Sequence, residues 1–171
     1  DARSFLGGQL AWVDSAGGQA MIASELRRPA SAGGGPLAAT GPRWSPRRER
    51  VVFYSQNAER SSNHTGFAGD VWVFDVHGGA VSKVFPESRY FWPIWSPDGE
   101  WVVAPRAEDS FNATALFRRR ADGRGAPERV SPAIANHYAQ PYEFSHDGSL
   151  VFYQVTNTSG DSADIYVVSL T

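Results

Sequence analysis

Between Pro93 and Gly99 the chain reads P-I-W-S-P-D-G, and a variant of this frame stands on either side of it. Upstream lies P-R-W-S-P-R-R-E at Pro42–Glu49, and downstream P-Y-E-F-S-H-D-G at Pro141–Gly148. Each copy has a proline, an aromatic residue followed by serine, and a turn-forming stretch. Each then runs into an apolar segment: Val51-Val52-Phe53-Tyr54, Trp101-Val102-Val103 and Leu150-Val151-Phe152-Tyr153. The frame serines Ser45, Ser96 and Ser145 are 51 and 49 residues apart. A period of this size marks one supersecondary unit used repeatedly, each copy burying its apolar surface against the next.

A second piece recurs between the frames. It reads D-V-W-V-F-D-V-H-G-G at Asp70–Gly79, A-L-F-R-R-R-A-D-G at Ala115–Gly123 and D-I-Y-V-V-S-L at Asp164–Leu170. A fourth copy, L-A-W-V-D-S-A-G-G at Leu10–Gly18, has no frame of its own. Each unit therefore reads as four antiparallel strands, in the middle unit about 92–95, 100–104, 113–118 and 127–130. Asp98-Gly99 between apolar runs predicts a two-residue type I′ hairpin turn. Pro42, Pro93 and Pro141 are expected to open the first strand of each unit, where a missing N–H does least harm. Val71-Trp72-Val73-Phe74 and Ile165-Tyr166-Val167-Val168 are apolar at successive positions. Such strands belong to sheets covered on both faces rather than to sheets with one wet face.

The frame P-x-W-S-P-D-G, followed by an apolar strand and then D-x-W-V-F-D-x-x-G-G, resembles the TolB-like, WD-repeat-like β-propeller repeat. That repeat occurs in TolB and in the propeller domains of tricorn and dipeptidyl-peptidase-type enzymes. The resemblance covers about residues 8–171; it departs at Arg47-Arg48, where the repeat has D-G, and at one extra residue around Glu143. It implies an all-β, incomplete or open propeller of about three and a half blades. The expected division is a half blade at 9–25, a flexible loop or wrap at 26–41, and blades at 42–86, 91–131 and 139–171, the last without its fourth strand. Propellers close their ring with four to eight blades, and closure removes exposed strand edges. Three and a half units leave ends to be covered by further chain, by a partner or by self-association of two arcs. No polar cap is legible at either end.

The chemistry-bearing residues read mainly as structural. Ser45, Ser96 and Ser145 lie in a repeated hairpin and in no G-x-S-x-G elbow, so their role is to bond the turn backbone. Trp44, Pro46, Trp95, Pro97, Asp98, Gly99, Phe144, Asp147 and Gly148 are the other members of the repeated frame. Ser145-His146-Asp147 are neighbours in sequence, which a catalytic triad does not require and a strand does not favour. His64, His77, His137 and His146 show no metal-ligand spacing, and the chain has no cysteine, so neither a metal nor another cofactor is expected.

Three groups remain as partner-binding candidates: Arg43, Arg47 and Arg48 at the first frame, Arg118, Arg119 and Arg120 in the middle unit, and the aromatic run Tyr90-Phe91-Trp92, with Tyr138 and Tyr142 at the matching place one repeat later. The arginine fork suits carboxylate and phosphate, and aromatics at a blade end can anchor a partner. Two long segments, 26–41 and 56–69, add loop surface of the kind on which binding usually resides.

Formal net charge is −2, which gives no field toward nucleic acid. No apolar stretch is long enough for a membrane helix. Fifteen of the sixteen basic residues are arginine, the usage of GC-rich codons, so a GC-rich bacterial source is expected and the Asn-x-Ser/Thr triplets are incidental. These readings lead to a non-catalytic interaction module, a peripheral periplasmic subunit that scaffolds a membrane-associated complex of respiratory, photosynthetic or trafficking type. The alternatives are a propeller fragment of a peptidase whose catalytic domain lies elsewhere, or a glycan or small-molecule sensor.

Overall fold

The computed structural model of the 171-residue chain describes residues 11–12, 21–22, 26–35, 37–56, 69–108 and 113–170. Strands β1 (Ala11–Trp12) and β2 (Met21–Ile22) pair antiparallel, with Ala11 opposite Ile22. They fall in the expected half blade, most of which lies outside the described residues. The long segment 57–68 lies outside them too.

Three sheets follow, each a meander whose strands neighbour one another in chain order. The first blade comprises β3 (Thr40–Trp44), β4 (Arg50–Gln56), β5 (Gly69–Asp75) and β6 (Val81–Lys83). The second comprises β7 (Ile94–Trp95), β8 (Trp101–Ala107), β9 (Thr114–Arg120) and β10 (Glu128–Arg129). The third has three strands, β11 (His137–Phe144), β12 (Leu150–Asn157) and β13 (Ala163–Ser169). The sheets stack face to face as an open arc of propeller blades, with the frame hairpins on the inner side.

The two-sided apolar strand of blade one explains the stacking. By contrast β13, for whose Ile165-Tyr166-Val167-Val168 the sequence predicts cover on both faces, is largely exposed, because no sheet among the described residues packs on its far side. Along β5 the alternating side chains divide between two cores, Val71 and Val73 into one and Trp72 and Phe74 into the other. The first core lies between blades one and two, where Val52, Tyr54, Val71 and Val73 meet Tyr90, Phe91, Trp95, Val102 and Phe117. Between blades two and three, Ile94, Val103 and Leu116 meet Ala139, Phe144, Val151, Tyr153 and Val155. Burying one such Val, Leu or Phe side chain contributes about 1.5–3 kcal/mol, so each seam is a substantial apolar interface.

The outer side of blade one is covered by its own chain, a cap that is not legible in the sequence. Residues 26–37 double back, with the Leu37 N–H donating to the Leu26 carbonyl at 2.7 Å and Arg28 N–H to the Gly35 carbonyl at 2.9 Å. A short 3-10 turn at Ala30–Ala32 closes the bend. Leu26 and Leu37 are thereby buried against Val51, Phe53, Trp72 and Phe74.

Two local expectations are corrected. The frame turn is not a two-residue type I′ turn. Gly99 N–H bonds the Ser96 carbonyl at 2.9 Å and Ser96 N–H the Trp101 carbonyl at 3.0 Å, so the loop has four residues and only Gly99 has positive φ, at 72°. Proline fits the second position of such a turn, which explains S-P-D-G better than D-G alone does. The frame prolines also do not all open a strand. Pro42 is the third residue of β3 and Pro141 lies within β11; only Pro93 stands before its strand. They are tolerated there because the innermost strand is an edge, with one side free of ladder bonds.

Gly99 and Gly148 hold the left-handed position of their turns, at φ 72° and 74°, whereas Arg48 holds it in the first frame at φ 56°. That conformation costs a non-glycine residue about 1–2 kcal/mol, partly offset by the ~0.5–1 kcal/mol of extra chain freedom that glycine loses on folding. Arg48→Gly is expected to raise stability by about 0.5–1 kcal/mol in urea unfolding. A lowered midpoint would show instead that the Arg48 side chain holds a contact worth more than the strain.

Candidate functional site

The frame serines are built into the turns. Ser96 Oγ donates to Asp98 Oδ1 at 2.5 Å and accepts the Trp101 N–H at 2.9 Å, while the same carboxylate oxygen takes the Glu100 N–H at 2.8 Å. The third frame repeats this with Ser145, Asp147, Leu150 and Ser149. In the first, Ser45 Oγ accepts the Arg50 N–H at 3.0 Å, but Arg47 stands where the carboxylate would be. Ser45 and Ser96 are buried. Each serine is thus occupied by its own hairpin, and Ser145 touches Asp147 as a turn partner.

These hairpins also register the blades. The Trp95 Nε1–H donates to the Arg43 carbonyl at 3.0 Å, and Arg50 Nη2 donates to the Gly99 carbonyl at 2.7 Å. The Arg50 guanidinium lies 5.0 Å from the Trp95 ring centroid. A Cβ placed on Gly99 would stand 3.6 Å from Pro46 Cδ, and one on Gly148 3.6 Å from Pro97 Cδ. Each turn glycine therefore rests on the turn proline of the preceding blade.

Of the three partner-binding candidates, one is largely buried and one is engaged in intrachain pairs at a partly exposed surface. Tyr90 and Phe91 are buried in the seam between blades one and two, Tyr90 stacked on Phe85 at 4.0 Å and edge-on to Phe117 at 6.2 Å. Burial raises the Tyr90 phenol pKa above its ordinary value. Trp92, half-buried, packs against the same core, edge-on to Phe91. The cluster in blade two is occupied by intrachain partners. Arg118 pairs with Glu128 at 2.8 Å and Arg120 with Glu100 at 2.6 Å, both over Trp101. Arg119 donates across the seam to the Val84 carbonyl at 2.5 Å. These arginines join strands and blades because each lies beside an acceptor on the neighbouring strand or blade.

The first group stands differently. Arg43, Arg47 and Arg48 are exposed, and among the described residues none has an ion pair with a carboxylate. They flank Trp44, which is 44% exposed, whereas Trp95 and Phe144, its counterparts leaning on a preceding blade, are each 8% exposed. Trp44 and Arg43 lie on the wall of a groove of about 360 Å³ along the inner strands of all three blades. Across it stand Tyr142, Glu143 and His146. Tyr142 is the extra residue of the third frame; it forms a β-bulge between Pro141 and Glu143 and is half exposed, its hydroxyl donating to Gln154 Oε1 at 2.7 Å. Sequence reasoning found the three arginines but treated Trp44 as a repeat residue and grouped Tyr142 with the blade-entry aromatics rather than with the arginines. The extra residue in the third frame was the signal for it.

Searches with the sequence match no protein-family model and no curated protein. Solved structures match the fold. A putative TolB from Agrobacterium tumefaciens superposes with a TM-score of 0.63 at 16% identity, over 99% of this chain and 61% of that one. An oligogalacturonate lyase from Vibrio parahaemolyticus follows with 0.57 at 16% identity, over 92% and 42%. The β-propeller domain of the Trilobed protease from Pyrococcus furiosus, described as having an open velcro topology, gives 0.51 at 12% identity, over 75% and 42%. The chain spans less than two thirds of the length of each. The fold is a TolB-like partial β-propeller.

The Ser145 hydroxyl, then the backbone N–H and hydroxyl of Ser149, hold the Asp147 carboxyl down at about 2 from its ordinary 3.8. Because the folded value is depressed, the stabilisation from this turn is complete above about pH 4 and is lost as pH falls through about 2. Titration of Asp147 followed by NMR is expected to give a midpoint near 2; one near 3.8 would show that the turn network does not form.

Proposed function

We propose that this chain is a non-catalytic protein–protein interaction module, a peripheral periplasmic subunit that steadies a larger membrane-associated complex. The observation that carries the reading is the inner groove. Two half-exposed aromatics, Trp44 and Tyr142, are held there by packed blades beside the arginines of the first frame. Rigid aromatics in a concave site, flanked by arginine, are the usual composition of a protein-binding hot spot. Arg43, Arg47 and Arg48 suit a partner segment carrying carboxylates, since arginine binds them through two parallel N–H donors.

Periplasmic placement rests on the resemblance of the repeat to that of TolB and on the arginine-rich composition. No helix among the described residues is long and apolar enough to cross a membrane. A peripheral subunit would associate with its complex through surfaces such as the groove.

The test is capture from gently solubilised membranes of the source bacterium with the tagged chain as bait. A stoichiometric complex is expected, weakened by added salt because exposed charges are screened. Trp44→Ala is expected to cost about 2 kcal/mol of binding, roughly 30-fold in affinity. Arg43→Glu is expected to weaken capture in the same direction. Capture indifferent to both substitutions would remove the groove as the docking site, and a bait that retains nothing would remove the reading.

A further inference from the structure

The tips of the three frame turns are exposed alike, Arg47 in the first, Asp98 in the second and Asp147 in the third. What the tip presents to solvent is therefore a property of the turn and not of which blades flank it. In the second and third turns the tip carboxylate is spent inside the hairpin. Asp98 takes the Ser96 hydroxyl and the Glu100 N–H, and Asp147 takes the Ser145 hydroxyl and the Ser149 N–H. The next residue is glycine, at φ 72° and 74°. In the first turn both positions are arginine. Arg47 supplies no acceptor, and Arg48 holds the left-handed position at φ 56°, a conformation that crowds a Cβ. A side chain at that position is compatible with a neighbouring blade, because a Cβ on Gly99 would meet Pro46 Cδ at 3.6 Å, an ordinary contact.

Both departures work against the turn, yet it still closes. The Arg48 N–H donates to the Ser45 carbonyl and the Ser45 N–H to the Arg50 carbonyl, each at 2.8 Å. Blade two braces it from behind, with Trp95 Nε1–H on the Arg43 carbonyl and Arg50 on the Gly99 carbonyl. The backbone that carries Arg43, Arg47 and Arg48 is thus fixed before anything binds, which lowers the ordering cost of association. On β9, by contrast, Arg118, Arg119 and Arg120 are each engaged by a carboxylate or a carbonyl. Glu49, exposed beside the first turn, makes no ion pair with its arginines among the described residues. The whole chain carries a formal charge of −2, so this positive field is local.

We propose that the first frame turn is a carboxylate clamp, in which Arg47 and Arg48, helped by Arg43, grip neighbouring acidic side chains of a partner protein. The carboxylate that the other two turns hold internally is here supplied from outside. This rests on the interaction-module reading above and names the chemistry its partner must bring. The arginine fork accepts a carboxylate through two parallel N–H donors, which a strained but rigid turn can present. Phosphate of a lipid surface fits less well. The turns lie in a row, Gly99 on Pro46 and Gly148 on Pro97, so a flat anionic surface set against Arg47 also meets Asp98 and Asp147. A short acidic segment touches the first turn alone.

Fluorescence anisotropy with labelled hexaglutamate tests the clamp at about 0.1 M salt, where exposed charges act within ~10 Å. Saturable binding by the wild-type chain is expected. Restoring the frame with Arg47→Asp and Arg48→Gly together is expected to weaken it at least about tenfold, while the urea midpoint stays at or above wild type. Arg47→Lys with Arg48→Lys keeps the charge without the fork and is expected to bind about threefold or more weakly. A wild-type chain that does not bind hexaglutamate, a frame-restored variant that binds like wild type, or a lysine pair that binds equally well would each overturn the clamp. Tighter binding to phosphatidylglycerol vesicles than to hexaglutamate would overturn it too and assign the arginines to lipid. Capture from membranes separates this from the broader reading. A complex lost on Trp44→Ala but kept by the frame-restored variant removes the clamp and keeps the groove. Hexaglutamate bound through the arginines by a chain that retains no membrane complex keeps the clamp and removes the reading.

Discussion

Arg50 and Trp95 meet across the boundary between the first two blades, and the geometry of the arc depends on that meeting. The guanidinium lies over the indole and donates to the Gly99 carbonyl, while the indole N–H donates back to the Arg43 carbonyl. Blade faces rich in Val, Leu and Phe attract one another without choosing a register. Hydrogen bonds and the seating of Gly99 on Pro46 choose it. The serine–carboxylate network makes this possible, because it holds the frame turn rigid enough to serve as a contact surface. The second seam keeps the glycine-on-proline contact, with Phe144 in place of Trp95 and thus without the indole donor. Its register is fixed elsewhere, by the Ala139 N–H on Thr114 Oγ1 at 2.5 Å and by Arg118 reaching the Leu170 carbonyl at 3.4 Å.

The two ends of the arc are unequal. Blade one is closed off by Leu26 and Leu37, whereas blade three presents Phe152, Ile165 and Val167 to solvent. The groove on the inner side adds a third kind of surface, aromatic and basic, in which Trp44 is open because no inner strand stands ahead of it among the described residues.

Much of the fold was legible because its signals are local and recur. The frame located the inner hairpin of each blade, and the doubly apolar run Val71–Phe74 marked a strand buried on both faces. The similar run Ile165–Val168 did not, because no sheet among the described residues covers β13. The fine geometry of the turn was missed because D-G alone fits two loop lengths; the pairing of Ser96 with Trp101 decides between them. The site was harder. Whether Tyr90 or Tyr142 is exposed, and whether Arg118 or Arg43 already has an acidic partner, depends on what the neighbouring blade places opposite. A run of arginines reads the same in either case. The Leu26–Leu37 cap was missed for a related reason: two leucines in a Gly- and Ala-rich stretch have no periodicity, and only the folded chain brings them together.

A double-mutant cycle on Arg50→Ala and Trp95→Leu, read as unfolding free energy, tests most directly whether the blades are registered by this contact. The account predicts a coupling of about 0.5–2 kcal/mol, the range for a partly desolvated cation over an aromatic ring and for residues in direct contact. Effects that simply add, within about 0.3 kcal/mol, would contradict it and leave the seam to apolar burial alone.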